Sequence, residues 1–209
     1  MIKYRYQGKF DPDKLLTTNI DYLSTRLVKP KTKVLELGAA TGFMSEHFRK
    51  HLGCKVIGVD INSEAKPDIA GDLNKLSTWK KIRAQAPYDL VFASSVLEHL
   101  PRPETTLQLI KAVLKPQGRL IATTGNVAWW RQRLRALLGK FEYEDYGIMD
   151  RTHLRFFTYF TFQKIIRDAG FKIKSVSIDP AGGVKYLGWL VSNYPNLYAQ
   201  QICVEATVR

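Results

Sequence analysis

Short apolar runs alternate along the chain with longer segments of helical spacing. Lys33–Leu37 (KVLEL), Lys55–Asp60 (KVIGVD), Pro67–Ala70, Tyr88–Ala93 (YDLVFA) and Arg119–Thr123 (RLIAT) are too short for helices. Each reads as a buried strand. Between them, Phe43–Leu52, Ser77–Ala84, Glu104–Leu114 and Tyr159–Ala169 carry apolar residues at helical spacing. Gly170 is placed to stop the last of these. At the front, Asp13–Val28 predicts one helix whose stripe Leu15, Leu16, Ile20, Leu23, Leu27 would face a sheet, ended by Lys29-Pro30. Phe171–Ile178 and Gln201–Val208 complete the strands. This strand-helix alternation predicts an α/β fold built on a mostly parallel sheet.

One stretch organises the rest. Val34–Gly42 (VLELGAATG) runs from a strand into a glycine turn that opens a helix. Gly38 and Gly42 allow positive φ and a close approach of backbone to a ligand, and the helix start offers free N–H groups there. Ala39, Ala40 and Phe43 would line the same turn. Glu36, at the carboxyl end of the strand, is placed to accept hydrogen bonds from loop amides or a ligand amine. One βα unit later the second strand ends in Asp60, followed by Ile61, where a ribose with two hydroxyls would be held. A dinucleotide fingerprint needs a third glycine five positions after the first, and that position is Phe43.

The run Glu36-Leu37-Gly38-Ala39-Ala40-Thr41-Gly42 resembles the E/D-x-G-x-G-x-G motif of class I S-adenosylmethionine (SAM)-dependent methyltransferases, with Ala40 in place of the middle glycine. The segment YDLVFASSVLEHL (88–100) and the turn LKPQGRL (114–120) resemble the same family. The resemblance implies SAM as cofactor, S-adenosylhomocysteine as its product, and a Rossmann-like seven-stranded sheet of order 3-2-1-4-5-7-6. The last strand would be antiparallel, with helices on both faces. It further implies that Asp72 accepts from the adenine amine with Leu73 beside the ring, and that Ser94 and Ser95 line the floor under the transferring methyl. The whole chain is expected to form a single domain. Within it, 1–30 form an arm and helix, with Tyr4 and Tyr6 either on the cofactor or plugging a groove, and 125–158 and 179–198 are substrate-side insertions.

Those insertions carry the least generic residues. Asn126 leads into AWWRQRLRALLGK, where Trp130, Leu134, Leu137 and Leu138 share one helical side and Arg131 and Arg135 another. Three roles fit this pattern: a substrate lid, an inserted helix packing Trp129 and Trp130 on the core, or a peripheral membrane contact through 127–140. Phe141–Thr158 follows as a loop dense in Tyr, Asp, Arg and His, with Tyr143, Tyr146, Arg151 and Arg155 as candidate substrate contacts. The run through IMDRTHLRFFT resembles a bacterial branch associated with polysaccharide or lipid-linked sugar assembly. More distantly it resembles ubiquinone-type O-methyltransferases and a methionine-biosynthesis partner protein that keeps the fold.

The chain has 209 residues with 45% hydrophobic, which suits one domain with a sizeable core. The formal net charge of +13 favours anionic partners, whether nucleic acid, lipid headgroups or an anionic acceptor, without choosing among them. No recognised nucleic-acid motif accompanies it. Cys54 and Cys203 offer no disulfide or metal spacing and read as buried thiols of a cytoplasmic protein, peripheral to the inner membrane surface at most. No run reaches the roughly 18 apolar residues of a membrane-spanning helix.

Methyl transfer to a hydroxyl needs a base, and a neutral His suits it. His153, in DRTHLR, is the favoured base; His99 reads as structural within its turn, and Asp150 is a candidate to orient His153. Adjacent Glu98 and His99 do not make a metal pair, and no metal is expected. Besides an O-methyltransferase acting on a saccharide, lipid-linked or other small acceptor, two readings stay open: an RNA methyltransferase, and a non-catalytic partner of another enzyme.

Overall fold

The computed structural model describes residues 11–180 and 188–208, and its sheet has the order β3-β2-β1-β4-β5-β7-β6. The strands are β1 (Lys33–Leu37), β2 (Lys55–Asp60), β3 (Ile69–Ala70), β4 (Tyr88–Ser94), β5 (Leu114–Gly125), β6 (Phe171–Asp179) and β7 (Gln201–Val208). Neighbours from β3 through β5 pair in parallel, while β7 runs antiparallel to both β5 and β6. The expected sheet order and the antiparallel last strand are both present.

Helices α1 (Ile20–Arg26) and α2 (Phe43–Leu52) cover one face. There Ile20, Met44 and Phe48 pack on Val34, Val56, Phe92 and Ile121. On the other face lie α3 (Leu76–Arg83), α4 (Pro103–Val113) and α6 (Tyr159–Asp168); α5 (Trp130–Leu137), α7 (Gly188–Asn193) and α8 (Pro195–Tyr198) belong to the segments expected on the substrate side. Trp79, Ile82, Leu107, Ile110, Phe162 and Ile166 meet the opposite residues of the same strands, Leu35, Leu37, Val91 and Ala93 among them. Alternation along β1 therefore divides its side chains: Leu35 and Leu37 serve one layer, and Val34 the other. Cys54 and Cys203 are buried free thiols, as expected.

The front helix differs from its expected form. Instead of one helix over 13–28, a 3-10 turn at Pro12–Lys14 precedes a break, and α1 begins where the Asn19 side chain accepts from the Asp21 amide at 2.9 Å. Its buried face is Ile20, Asp21, Ser24 and Thr25, while Leu16 is exposed. The Ser24 and Thr25 hydroxyls donate to the Asp21 carbonyl at 3.2 and 2.8 Å, which lets polar residues be buried where apolar spacing pointed elsewhere. The KPQG turn (115–118) is bulged within β5, between the pairs Tyr88/Leu114 and Leu90/Arg119. Tyr4, Tyr6 and the arm's first residues lie outside the described residues.

Candidate functional site

The strand order reverses between β1 and β4, the crevice where open parallel sheets bind ligands. Two loops frame it. After β1 the chain turns through Gly38 at φ +67°, Ala40 at +49° and Gly42 at +78°, and Gly42 is the N-cap of α2. After β4, Ser95 also stands at positive φ, +51°. Non-glycine residues held in this region carry strain that the surroundings must support. At Ser95 the support is visible, since its amide donates to the Thr123 hydroxyl and carbonyl at 3.1 and 3.2 Å, and Ser94 Oγ is 3.0 Å from the same hydroxyl. The two loops also touch, because a Cβ on Gly38 would lie 2.6 Å from Val96 Cγ2. Gly38 is thus required twice, by conformation and by space.

Asp60 is buried at the end of β2, and its two oxygens accept from the Ala40 and Asn62 amides, each at 2.8 Å. It therefore clasps the glycine loop to the β2 end. The bond explains how Ala40 can replace a glycine: its amide is held by a charge-assisted contact that offsets an unfavourable φ. Ile61 beside it is 64% exposed, an apolar side chain left open next to a buried acid. Gly38 is open to the crevice, Phe43 is half-buried, and Ala39 is buried, its amide donating to the Val59 carbonyl at 3.0 Å.

Glu36 stands at the carboxyl end of β1, where it was expected, and its partner lies on α2. It is buried and accepts from the Ser45 hydroxyl in the first turn of α2. Burial pushes its carboxyl up to about 8, against the hydrogen bond from Ser45 and the attraction of Arg49. Asp72 is half-buried in a turn of its own, its Oδ1 accepting from the Asn74 amide and side chain at 2.8 and 2.9 Å. The Leu73 carbonyl takes the Trp79 indole N–H at 2.8 Å. A cleft of about 390 Å³ runs along the other side of the glycine loop, between Ala40 and Asp68, and contains neither Asp60 nor Ser94.

In the long loop after α5, the Leu154 and Arg155 amides both donate to the Glu98 carbonyl, at 2.9 and 3.0 Å, which holds that loop against the turn after β4. This anchor brings His153 and His99 edge to face, their ring centroids 4.7 Å apart. His153 Nδ1 lies 3.0 Å from the Ile148 carbonyl. A carbonyl only accepts, so the neutral ring carries its proton on Nδ1 and leaves the Nε2 lone pair available. Burial, and then the His99 charge, holds His153 below its ordinary value.

The orienting group is thus the Ile148 backbone and not Asp150. The Asp150 carboxylate accepts from the Thr152 amide and hydroxyl at 2.7 and 2.6 Å, and that hydroxyl is 3.1 Å from His99 Nδ1. Asp150 supports the loop through Thr152.

Of the expected acceptor contacts, Asn126 is fully buried. Its Nδ2 donates to the Asn196 and Ala199 carbonyls at 3.0 and 2.7 Å, and its Oδ1 accepts from the Ala128 amide at 3.0 Å, so its amide serves the backbone. Arg155 donates to the Pro101 carbonyl and Arg151 pairs with Asp145 at 2.8 Å, both on the surface. Tyr143 and Tyr146 are exposed, and Trp130 packs partly against Trp129, Ile148 and Met149.

Sequence reasoning missed three buried polar atoms in this region. Glu98 Oε2 and the Nε1 atoms of Trp129 and Trp130 have no hydrogen-bond partner among the described residues. Burial pushes the Glu98 carboxyl up to about 7, against opposing hydrogen bonds from its own amide, the Thr124 hydroxyl and the Gly125 amide. In the sequence Glu98 stands out only beside His99, as a pair unfit for a metal, and Trp129 and Trp130 only as residues that could pack on the core.

A family model described as methyltransferase domain matches residues 5–176. Curated relatives include the ubiquinone biosynthesis O-methyltransferase of Xanthomonas euvesicatoria, 28% identical over 118 residues, 51% of this chain and 48% of that one. That of Coxiella burnetii is 29% identical over 130 residues, 57% and 55% of the two chains. The chain spans about half the length of these relatives. Among solved structures, a SAM-dependent methyltransferase from Archaeoglobus fulgidus superposes with a TM-score of 0.63 at 18% identity, covering 90% of this chain and 93% of that one. One from Mesorhizobium loti gives 0.61 at 16% identity, covering 94% and 100%. With the loop after β1, the acid after β2 and the 3-2-1-4-5-7-6 sheet in place, the chain belongs to the class I SAM-dependent methyltransferases, through their methyltransferase domain.

Proposed function

We propose that this chain moves the methyl group of SAM to a hydroxyl of a small acceptor, a saccharide, a lipid-linked molecule or another secondary metabolite. The observation that carries the choice of a hydroxyl is the setting of His153: Nδ1 lies against the Ile148 carbonyl, which leaves the Nε2 lone pair of the neutral ring available, and partial burial favours that neutral form. The O-methyltransferase relatives point the same way.

The cofactor supplies a methyl already activated on a cationic sulfur. The chain's own work is alignment and one proton. Asp60, with the exposed face of Ile61, would hold the ribose and adenine end, and the Gly38 and Ser95 turns would bound the methionine end. Alignment of this kind is worth several kcal/mol. His153 would take the acceptor proton at Nε2, and the Ile148 carbonyl would stabilise the imidazolium that results.

Calorimetry with SAM and S-adenosylhomocysteine tests the cofactor half; Asp60→Ala is expected to weaken both at least tenfold, and absence of binding to the native protein would overturn it. For the base, an acceptor screen read by mass spectrometry for the gain of one methylene mass identifies the substrate. His153→Ala should then lower kcat by about 10²-fold or more with SAM affinity unchanged. An undiminished rate would remove His153 from the mechanism.

A further inference from the structure

Helix α5 follows the carboxyl end of β5, the same end of the sheet that holds the glycine loop and Asp60. None of its residues is buried, although it carries three leucines in its last turns and just beyond. Leu134, Leu137 and Leu138 are 48%, 84% and 63% exposed, and Phe141 after them is 58% exposed. At 100° per residue the three leucines fall on one stripe, with Arg131 on one flank and Arg133 on the other.

The charges on this helix are divided. Arg135 is neutralised by Glu142 and Glu144, at 3.0 and 2.5 Å. Arg131 and Arg133 form no ion pair among the described residues; Arg131 stacks over Trp129 and Trp130, 5.4 and 5.3 Å from the ring centroids, and Arg133 donates to the Ala128 carbonyl. Lys140 continues the cationic edge. An apolar stripe rimmed by cations is the pattern of a helix lying in a headgroup layer, where leucines enter the acyl boundary and arginines meet lipid phosphates. A polyanion such as RNA would satisfy the arginines and leave the leucines in water.

We infer that α5 and the start of the loop after it form a docking surface for an anionic phospholipid bilayer. Docking there would present the carboxyl-end crevice to the membrane, which narrows the proposed acceptor to one reached from the lipid surface. That consequence rests on the proposed methyl transfer, whereas docking itself is read without it.

Flotation of the full chain with phosphatidylglycerol/phosphatidylcholine vesicles, against pure phosphatidylcholine, is the test. Binding is expected to the anionic vesicles and to fall steeply with salt. Leu137→Gln with Leu138→Gln should weaken it at least tenfold, and Arg131→Gln with Arg133→Gln by about fivefold for each cation removed. Both pairs are solvent-exposed, and circular dichroism checks that each variant folds as the native chain does. Failure to float, or flotation that the leucine pair leaves unchanged, would overturn the inference. So would light scattering that shows a dimer converted to monomer by the leucine pair with no vesicle binding, since a second copy would then be the occupant. SAM binding by the leucine pair should stay native; its loss alongside flotation would mean damage to the fold and would equally count against a separate docking surface.

Discussion

Gly38→Ala is the sharpest test of how the crevice is built. The methyl group added would lie 2.6 Å from Val96 Cγ2, well inside ordinary carbon contact, and the next nearest atom, Val96 Cβ, is at 3.9 Å. Overpacking of this kind costs about 1–3 kcal/mol. Holding alanine at φ +67° adds about 1–2 kcal/mol. The variant should therefore lose about 2–5 kcal/mol of stability in urea unfolding. Val96→Ala removes the one overlapping atom at a cost of about 2 kcal/mol for its lost burial. If the overlap is real, the double variant is more stable than the sum predicts by about 1–3 kcal/mol, while the backbone penalty persists. Ala40 and Ser95 already stand at positive φ, so conformation alone is bearable in these loops and the Val96 contact is the discriminating part. SAM affinity measured by calorimetry should fall in Gly38→Ala and recover in part in the double variant, because the two residues sit on opposite lips of the crevice. Additive stabilities, within about 0.5 kcal/mol, would refute the reasoning.

Glu36 should make stability depend on pH. With its carboxyl raised to about 8 when folded against 4.5 for the free group, its contribution is fully present below pH 4.5 and is lost as pH rises to about 8, at most about 4–5 kcal/mol. Glu98 acts in the same sense up to about 7, so Glu36→Gln should reduce the slope throughout the window from pH 4.5 to about 8 and remove the contribution of this pair between pH 7 and 8, where Glu36 acts alone; an unchanged slope there in urea unfolding would contradict the assignment. Asn126→Ala strands two carbonyls and an amide in the interior and should cost about 3 kcal/mol, read as a fall in Tm of about 6–12 °C. A change in acceptor KM at native Tm would return Asn126 to the binding site.

The central strands β1, β2 and β4 were legible because each is a short apolar run between turn residues, and buried parallel strands have little choice but to look that way; the order of the strands came from the family resemblance. The cofactor loop was legible because its glycines are imposed by geometry, as the Gly38–Val96 approach shows. Residues acting through backbone were not. The group that orients His153 is the Ile148 carbonyl, and a carbonyl has no letter in a sequence. The position of Glu36 at the strand end was legible and its partner was not, because strand alternation turns it toward Ser45, nine residues away, which only the return of α2 over the sheet brings near. The front helix was overextended because periodicity counts leucines and ignores hydroxyls that satisfy themselves on a carbonyl.

The Asn126 amide has a consequence for how such chains diversify. It ties the end of β5 to the Asn196 and Ala199 carbonyls, its own N–H reaches the Gln200 carbonyl at 2.9 Å, and it bridges to Phe157. The segments 126–157 and 196–200 thus meet at one residue, and the Glu98 carbonyl holds the first of them a second time near its far end. The hydrogen bonds that fasten these segments at Asn126 and Glu98 use backbone atoms on the segments' side, so their exposed side chains can change without loosening them. The exposed surface of these segments is thereby free to vary in sequence around an unchanged fastening.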